Sequence, residues 1–161
     1  MTFCLDGHCA GDSPLLLDGM YAAFSSVLPL EWTSSNAEVY VVDAVPLMAD
    51  SLIENASELE GNIAVVARGG GVSFVDKVKR ASEAGAAGVI VTNTEDDLIV
   101  MGGDEDYTSN IPVLMIKSND AARLRDNGSG HIRGKGTRRS REVVFFQTSD
   151  RGCLLSYIFI K

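Results

Sequence analysis

The sequence predicts one α/β domain, and three features of its middle part support this fold class. Residues 62–67 and 87–91 are short, continuous apolar runs, which are typical of strands covered on both faces. A glycine-rich turn and an amphipathic helix lie between these runs. Such a β-α-β unit requires parallel strands, joined by a right-handed crossover.

Composition and charge exclude several classes of protein. The chain has 161 residues, is 45% hydrophobic and 22% charged, and is therefore neither disordered nor fibrous. Its net charge of -8 is uneven, because residues 1–67 contain ten acidic side chains and neither Lys nor Arg. We therefore predict no nucleic-acid partner, since nothing in this part would neutralise phosphate. The chain has no run of about 18 uncharged apolar residues, so we predict no transmembrane helix within it.

The first part of the chain divides into an N-terminal segment and the start of the domain. Residues 1–20 are rich in turn-forming residues, and we expect them to be loosely ordered. The domain itself is expected over residues 21–126. A strand is predicted over 38–45, where β-branched and aromatic residues precede Pro46. The segment 48–59 is expected to be a connector with one helical turn.

The helix after the glycine-rich turn carries the clearest signal in the chain. Ser73 is a suitable N-cap, and Asp76 three residues later gives a capping-box pattern. Lys77 is predicted to lie among the charged residues outside the buried stripe, and Gly85 is expected to end the helix. The predicted buried stripe consists of Phe74, Val78 and Ala81.

The last part of the chain alternates helix, strand and loop. The acidic loop, residues 94–110, contains six acidic side chains. A strand over 112–116 follows it, and then a helix with Ser118 as its N-cap. Residues 127–161 are predicted to be a basic tail with closing strands at 143–146 and 154–160. Seven basic and two acidic side chains give this tail its positive charge.

The glycine loop, residues 68–73, joins a strand to a helix N-terminus, where backbone N–H groups can bind an anion. It lacks two nucleotide-binding signatures. Phe74 stands where a dinucleotide fingerprint requires Gly or Ala, and no Gly-Lys-Ser/Thr follows the loop. We therefore prefer a flexible turn that lets Phe74 enter the core. An α/β enzyme that binds a nucleotide or small molecule through this loop is the alternative.

No catalytic residues are predicted. Residues 11–13, Gly-Asp-Ser, are similar to the nucleophile block of one class of esterase. That chemistry needs a histidine base held by an acid, and His8 and His131 are the histidines of the chain. His131 lies in a stretch rich in Gly and Arg without an acid before it, so hydrolase activity is not expected.

No metal and no cofactor are predicted either. Cys4, His8, Cys9 and Cys153 would give four zinc ligands, but their spacing lacks the usual C-x2-C pair. Two alternatives for the cysteines are ordinary thiols and one disulfide, either between Cys4 and Cys9 or from one of them to Cys153. The acidic loop lacks the alternating spacing of a calcium site, and a solvated loop is the simpler interpretation.

Targeting signals are sparse. Residues 1–14 contain no basic side chain and do not form a signal peptide, so the chain is either cytosolic or lacks its original start. Two N-x-S/T sequons, at Asn55 and Asn127, predict glycosylation if the protein enters the secretory pathway.

Eight segments between Tyr21 and about Asp126 follow one another in a characteristic order: 22–24 (AAF), 39–43 (VYVVD), 60–66 (EGNIAVV), 68–69 (RG), 73–78 (SFVDKV), 84–93 (AGAAGVIVTN), 111–116 (IPVLMI) and 121–124 (AARL). Taken together, they resemble the protease-associated (PA) domain. One departure concerns the glycine loop: the family commonly reads R-G-x-C-x-F, whereas here one extra residue separates Arg68 from Phe74 and the Cys is absent. The disulfide that such a Cys can form in relatives is therefore not expected.

The resemblance implies a fold of the swivelling β/β/α type, a β-rich sandwich or open barrel with strands on one side and two helices packed on them. PA domains are not catalytic, so it also implies a module that docks protein or peptide segments or covers a protease active site. The implied parent proteins are subtilisin-like proteases, aminopeptidases, signal-peptide-peptidase-like proteins, vacuolar sorting receptors and membrane-anchored RING ubiquitin ligases.

The resemblance also implies a binding surface and a compartment. The surface would include the acidic loop beside the glycine loop. The compartment would be the secretory or endomembrane lumen or the cell exterior, with membrane attachment only through an anchor outside this chain. The implied ligand-binding residues are Arg68, Gly69, Gly70, Gly71 and Phe74.

Overall fold

The computed structural model describes the backbone of residues 4–5, 8–9, 15–25, 40–126, 130–133 and 142–147, with side chains for 17–25 and 40–124. These residues form strands and helices in an order that alternates through the middle of the chain. The strands are β1 (Cys4–Leu5), β2 (His8–Cys9), β3 (Leu15–Tyr21), β4 (Val41–Asp43), β5 (Ile63–Ala67), β6 (Gly88–Thr92), β7 (Val113–Ile116), β8 (Gly130–Arg133) and β9 (Glu142–Gln147). The helices are α1 (Ala56–Leu59), α2 (Phe74–Glu83) and α3 (Ser118–Asp126).

Strands β3 to β9 form one mixed sheet in the order β4-β5-β6-β7-β3-β9-β8. Strands β4 to β7 are parallel to one another, as the β-α-β pattern predicted for β5 and β6. β3 runs antiparallel to both of its neighbours, and β8 runs antiparallel to β9. The predicted α/β class is therefore confirmed. β1 and β2 form a separate antiparallel pair, in which Cys4 lies opposite Cys9. A disulfide between these two residues stays one of the alternatives that the sequence leaves open.

Strand β3 connects the parallel half of the sheet to its C-terminal hairpin. Leu15–Asp18 pair with β9, and Gly19–Tyr21 pair with β7. Residues 15–20 thus belong to the sheet, although their sequence indicated a loosely ordered segment. The prediction was wrong at this point because both partners of β3 lie far away in the chain, where local patterns give no information. Of the two predicted closing strands, 143–146 falls within β9, and 154–160 lies outside the described residues.

Both faces of the sheet are buried, and each face carries one of the longer helices. The α2 face is lined by the strand residues Ala64, Val66, Val89, Val91, Val113 and Met115. The α3 face is lined by Ile63, Val65, Ile90, Leu114 and Ile116. α2 and α3 therefore lie on opposite faces of the sheet. The reason is that these strands are apolar at successive positions, so each face needs its own cover.

Helix α2 begins and ends where the sequence predicted. The Ser73 hydroxyl accepts the Asp76 N–H at 3.1 Å and donates to the Asp76 carboxylate at 2.8 Å. Gly85, with φ +83°, follows the helix. Val78 and Ala81 are buried, as predicted. Lys77 is buried as well, which contradicts the prediction that it lies among the exposed charges.

Candidate functional site

The carboxyl ends of β4, β5 and β6 lie at one edge of the sheet because these strands are parallel. Three connections leave the sheet there. The first is the apolar loop, residues 44–55, which follows β4. The second is the glycine loop, which follows β5, and the third is the acidic loop, which follows β6. In open α/β sheets this edge is the usual position of a binding site.

The glycine loop presents unused backbone groups at this edge. Gly69, Gly70 and Gly71 are exposed and have φ values of +113°, +71° and +66°. Within the described part of the chain, no hydrogen bond uses the N–H of any of the three. The loop therefore has backbone donors free for a ligand. The turn also lets Phe74 pack against the core of the α2 face, but its side chain is only half-buried, whereas the sequence predicted that it enters the core.

The apolar loop lies directly against the glycine loop. A Cβ at Gly70 would lie 3.1 Å from the Cβ of Met48 and 3.1 Å from that of Asp50, so a side chain at Gly70 would push the two loops apart. The N–H of Ala67, at the end of β5, donates to the Leu47 carbonyl at 2.7 Å. The two loops thus form one continuous surface.

The apolar loop exposes hydrophobic side chains although it is anchored in the core. Ala44, Ala49 and Ile53 are buried in the core of the α2 face. Between these anchors, large apolar side chains face solvent. Exposed apolar groups on a firmly held loop are typical of an interaction surface. The exposed members are Val45, Leu47, Met48 and Leu52, with exposures of 45%, 36%, 44% and 84%.

Two cations of α2 hold this loop in place. The Lys77 ammonium, whose side chain is wholly buried, donates to the Met48 carbonyl. The Arg80 guanidinium donates to the carbonyl of Ala49. Burial lowers the pKa of Lys77, while the nearby Asp50 carboxylate acts in the opposite direction and Arg80 lowers it further. The helix therefore fixes the backbone of the apolar loop through charge-assisted hydrogen bonds.

Asn55 closes the base of the apolar loop. Its side-chain oxygen accepts the Val45 N–H at 2.9 Å, and its amide nitrogen donates to the Asp43 carbonyl at 2.9 Å. The side chain thus bridges the two ends of the loop. Glycosylation at Asn55 stays a prediction, and the sequon at Asn127 lies outside the described residues.

Arg68 ties the glycine loop to the start of the acidic loop. Its guanidinium donates to the Asn93 side-chain oxygen at 2.9 Å, and the Asn93 amide donates to the Asp97 carboxylate at 2.7 Å. Arg68 is half-buried, so part of its side chain remains accessible. Its observed contacts are structural, and ligand binding by Arg68 and Phe74 stays a prediction.

The sequence predicted a binding role for the glycine loop, which stays a prediction, and it indicated neither the exposed apolar loop nor the burial of Lys77. One signal was present: Lys77 stands three residues after Phe74 and one before Val78, within the spacing of the apolar stripe. No pattern in the sequence predicts that Leu47 and Met48 are exposed, because apolar residues in a connecting segment are equally typical of buried anchors.

Among the side chains described, no group of three or more His, Cys, Asp or Glu is placed to hold a metal ion. No helix in the described ranges is long and apolar enough to cross a membrane.

Comparison with known proteins gives consistent results for family and fold. The model of the family described as PA domain matches residues 35–124. Signal peptide peptidase-like 3 of Arabidopsis thaliana is 38% identical over 112 residues, which are 67% of this chain and 20% of that protein. Signal peptide peptidase-like 3 of Oryza sativa subsp. japonica is 30% identical over 133 residues, 81% of this chain and 24% of that protein. The chain thus spans about a quarter or less of these curated relatives.

One solved structure of similar fold is BSAP, a zinc aminopeptidase from Bacillus subtilis. The TM-score is 0.52 at 19% sequence identity, and the match covers 83% of this chain and 29% of that one. At this identity the similarity concerns the fold alone.

Proposed function

The chain belongs to the PA domain family, as its sequence resemblance predicted, and we propose that it is a non-catalytic module that docks peptide segments of a protein partner. One observation supports this most directly. At the carboxyl edge of the sheet, the free N–H groups of Gly69–Gly71 lie beside the exposed side chains of Leu47 and Met48. An extended peptide needs both kinds of partner, one for its backbone and one for its side chains.

In the proposed mode of docking, the peptide lies across the junction of the two loops. Its carbonyl groups accept hydrogen bonds from the glycine loop, and an apolar side chain packs on Leu47 and Met48. The acidic loop beside this surface, together with the exposed Asp50, favours peptides with basic or polar flanks. Lys77 and Arg80 keep the apolar loop in its binding position, so little ordering is required when the peptide binds.

We further propose that the chain is the PA segment of a larger protein of the signal-peptide-peptidase-like type. In such a protein the module would lie on the lumenal or extracellular side, attached through segments outside this chain. It would hold substrate or cargo peptides, or cover the active site of a protease segment. The identity to two relatives of that name, and the small share of their length that this chain covers, support the proposal.

A pair of glycine variants tests the docking surface. Peptides are selected from a displayed random library on the full chain, and their affinities are then measured for Gly70→Ala and Gly61→Ala. Both glycines have positive φ, +71° and +73°, so both variants carry similar backbone strain. A Cβ at Gly70 meets the apolar loop, whereas a Cβ at Gly61 meets nothing within 4 Å.

We expect Gly70→Ala to weaken peptide binding about tenfold, since it separates the two halves of the surface. Gly61→Ala is expected to bind like the original chain. Equal affinities for all three proteins would contradict the proposal. Recovery of no peptide, together with saturable binding of ATP at the glycine loop, would instead favour the nucleotide-binding alternative.

A further inference from the structure

A concave surface lies between the segment that follows β3 and the C-terminal half of the acidic loop. It is a cleft of about 300 Å³. Its walls are joined by backbone hydrogen bonds, from Ser109 N–H to the Phe24 carbonyl at 2.8 Å and from Ala23 N–H to the Met101 carbonyl at 3.0 Å. The cleft is therefore formed before any ligand arrives. Its lining residues are Ala23, Phe24, Ser25, Gly103, Asp104, Glu105, Tyr107 and Thr108.

One wall of the cleft is aromatic and fixed in position. The rings of Phe24 and Tyr107 have centroids 5.5 Å apart and are tilted by 52°. The Lys79 ammonium lies 4.9 Å from the centroid of the Tyr107 ring and is not part of the lining. Only glycine fits at position 103, because a Cβ there would lie 2.7 Å from the Phe24 ring and 2.8 Å from a Val75 methyl.

The rim of the cleft carries two carboxylates without a cationic partner. Asp104 and Glu105 are exposed and line the opening. The ion pairs found in the described part of the chain join Lys117 to Asp18 and Arg123 to Asp120, and neither involves the rim. An anionic ligand would be repelled here, and a purely apolar one would leave the carboxylates unused.

We propose that this cleft binds a basic side chain, Arg or Lys, of a partner peptide. Such side chains have an apolar stem and a cationic head. The stem packs on Phe24 and Tyr107, and the head reaches the carboxylates of Asp104 and Glu105. The cleft, with its fixed aromatic wall, distinguishes this site from the other acidic run at 95–97, where charge alone is present. The proposal adds a side-chain preference to the peptide docking proposed above.

Single amino-acid derivatives test the cleft independently of any peptide. Nα-acetyl-arginine amide and Nα-acetyl-lysine amide are titrated into the full chain and followed by the amide signals in NMR spectra. We expect saturable shifts over residues 23–25 and 103–108, with a dissociation constant of about 1 mM, as is usual for ligands this small. Nα-acetyl-citrulline amide has the same shape without the charge, and we expect it to bind at least about fivefold more weakly.

A matched pair of variants separates the cleft from general negative charge. Asp104→Asn with Glu105→Gln should weaken arginine amide binding about fivefold, whereas Glu95→Gln with Asp96→Asn, which removes equal charge from the other acidic run, should leave it nearly unchanged. Equal weakening by both pairs, equal binding of citrulline amide, or shifts confined to residues outside 23–25 and 103–108 would overturn the proposal. The outcome of these titrations is independent of the Gly70→Ala and Gly61→Ala comparison, because the titrations use neither those variants nor the selected peptides.

Discussion

Lys77 lies wholly inside the protein, although lysine side chains are almost never fully buried without a partner. Its partner is the carbonyl of Met48, in a loop that packs against α2 from another part of the chain. The residue therefore has a structural task, which is to hold the apolar loop where its exposed side chains meet the glycine loop. The adjacent Arg80 has the same task at Ala49.

The lowered pKa of Lys77 predicts how stability depends on pH. Burial penalises the charged form in the folded state, so the unfolded chain binds the proton more tightly. This penalty is present in full below the folded-state pKa. It is lost as the pH rises from that value toward the ordinary pKa of 10.5, and stability should rise in the same interval.

The measurement is the free energy of unfolding in urea, determined from neutral pH to about pH 10.5 for the original chain and for Lys77→Met. Subtracting the two curves removes the titration of all other groups. The free energy of unfolding of the original chain minus that of Lys77→Met should increase as the pH rises. A difference that stays constant or falls would show that the ammonium is not penalised by burial.

The sequence could not reveal this role of Lys77, for a physical reason. The helical spacing from Phe74 to Ala81 includes Lys77, but a charged residue is expected to turn toward solvent unless an acceptor is known. The acceptor is a backbone carbonyl, which every residue has, so no sequence motif marks it. Ser73 and Asp76 were predictable because the cap forms between neighbours in the chain.

At the scale of elements, β5, α2 and β6 were predicted with nearly correct bounds. Their signals are local: continuous apolar runs, a capped amphipathic helix and glycines at the turns. β3 was missed because its pairing with β7 and β9 is entirely non-local. The placement of α2 and α3 on opposite faces follows from residues that were visible in the sequence, since continuous apolar strands need two covers.

The place of β3 in the fold predicts a large effect at Leu17. This side chain is 2% exposed and packs in the core of the α3 face. Leu17→Ala should lower the free energy of unfolding by about 2–4 kcal/mol. Leu52→Ala is the matched control, because Leu52 is 84% exposed and its loss should change stability by about 0.5 kcal/mol or less. Similar small effects in both variants would show that β3 is not part of the folded core.

At the scale of the whole molecule, the parallel sheet gathers three loops at one edge, and two of them form a joint surface. The glycine loop could be assigned to that edge from the sequence, because it follows a strand. The apolar loop could not, because the exposure of Leu47 and Met48 depends on where Lys77, Arg80 and Asn55 hold its backbone. The joint surface is therefore a property of the fold, and the glycine motif accounts for only one of its two loops.

The central claim is that peptides dock where the glycine loop meets the apolar loop. The most direct measurement is the NMR footprint of a library-selected peptide on the full chain, recorded through backbone amide shifts. We predict the largest shifts at residues 45–52 and 69–71, with smaller ones at 103–108 when the peptide carries a basic residue. A footprint confined to α3 and the strands beneath it, with residues 45–52 and 69–71 unchanged, would contradict the account.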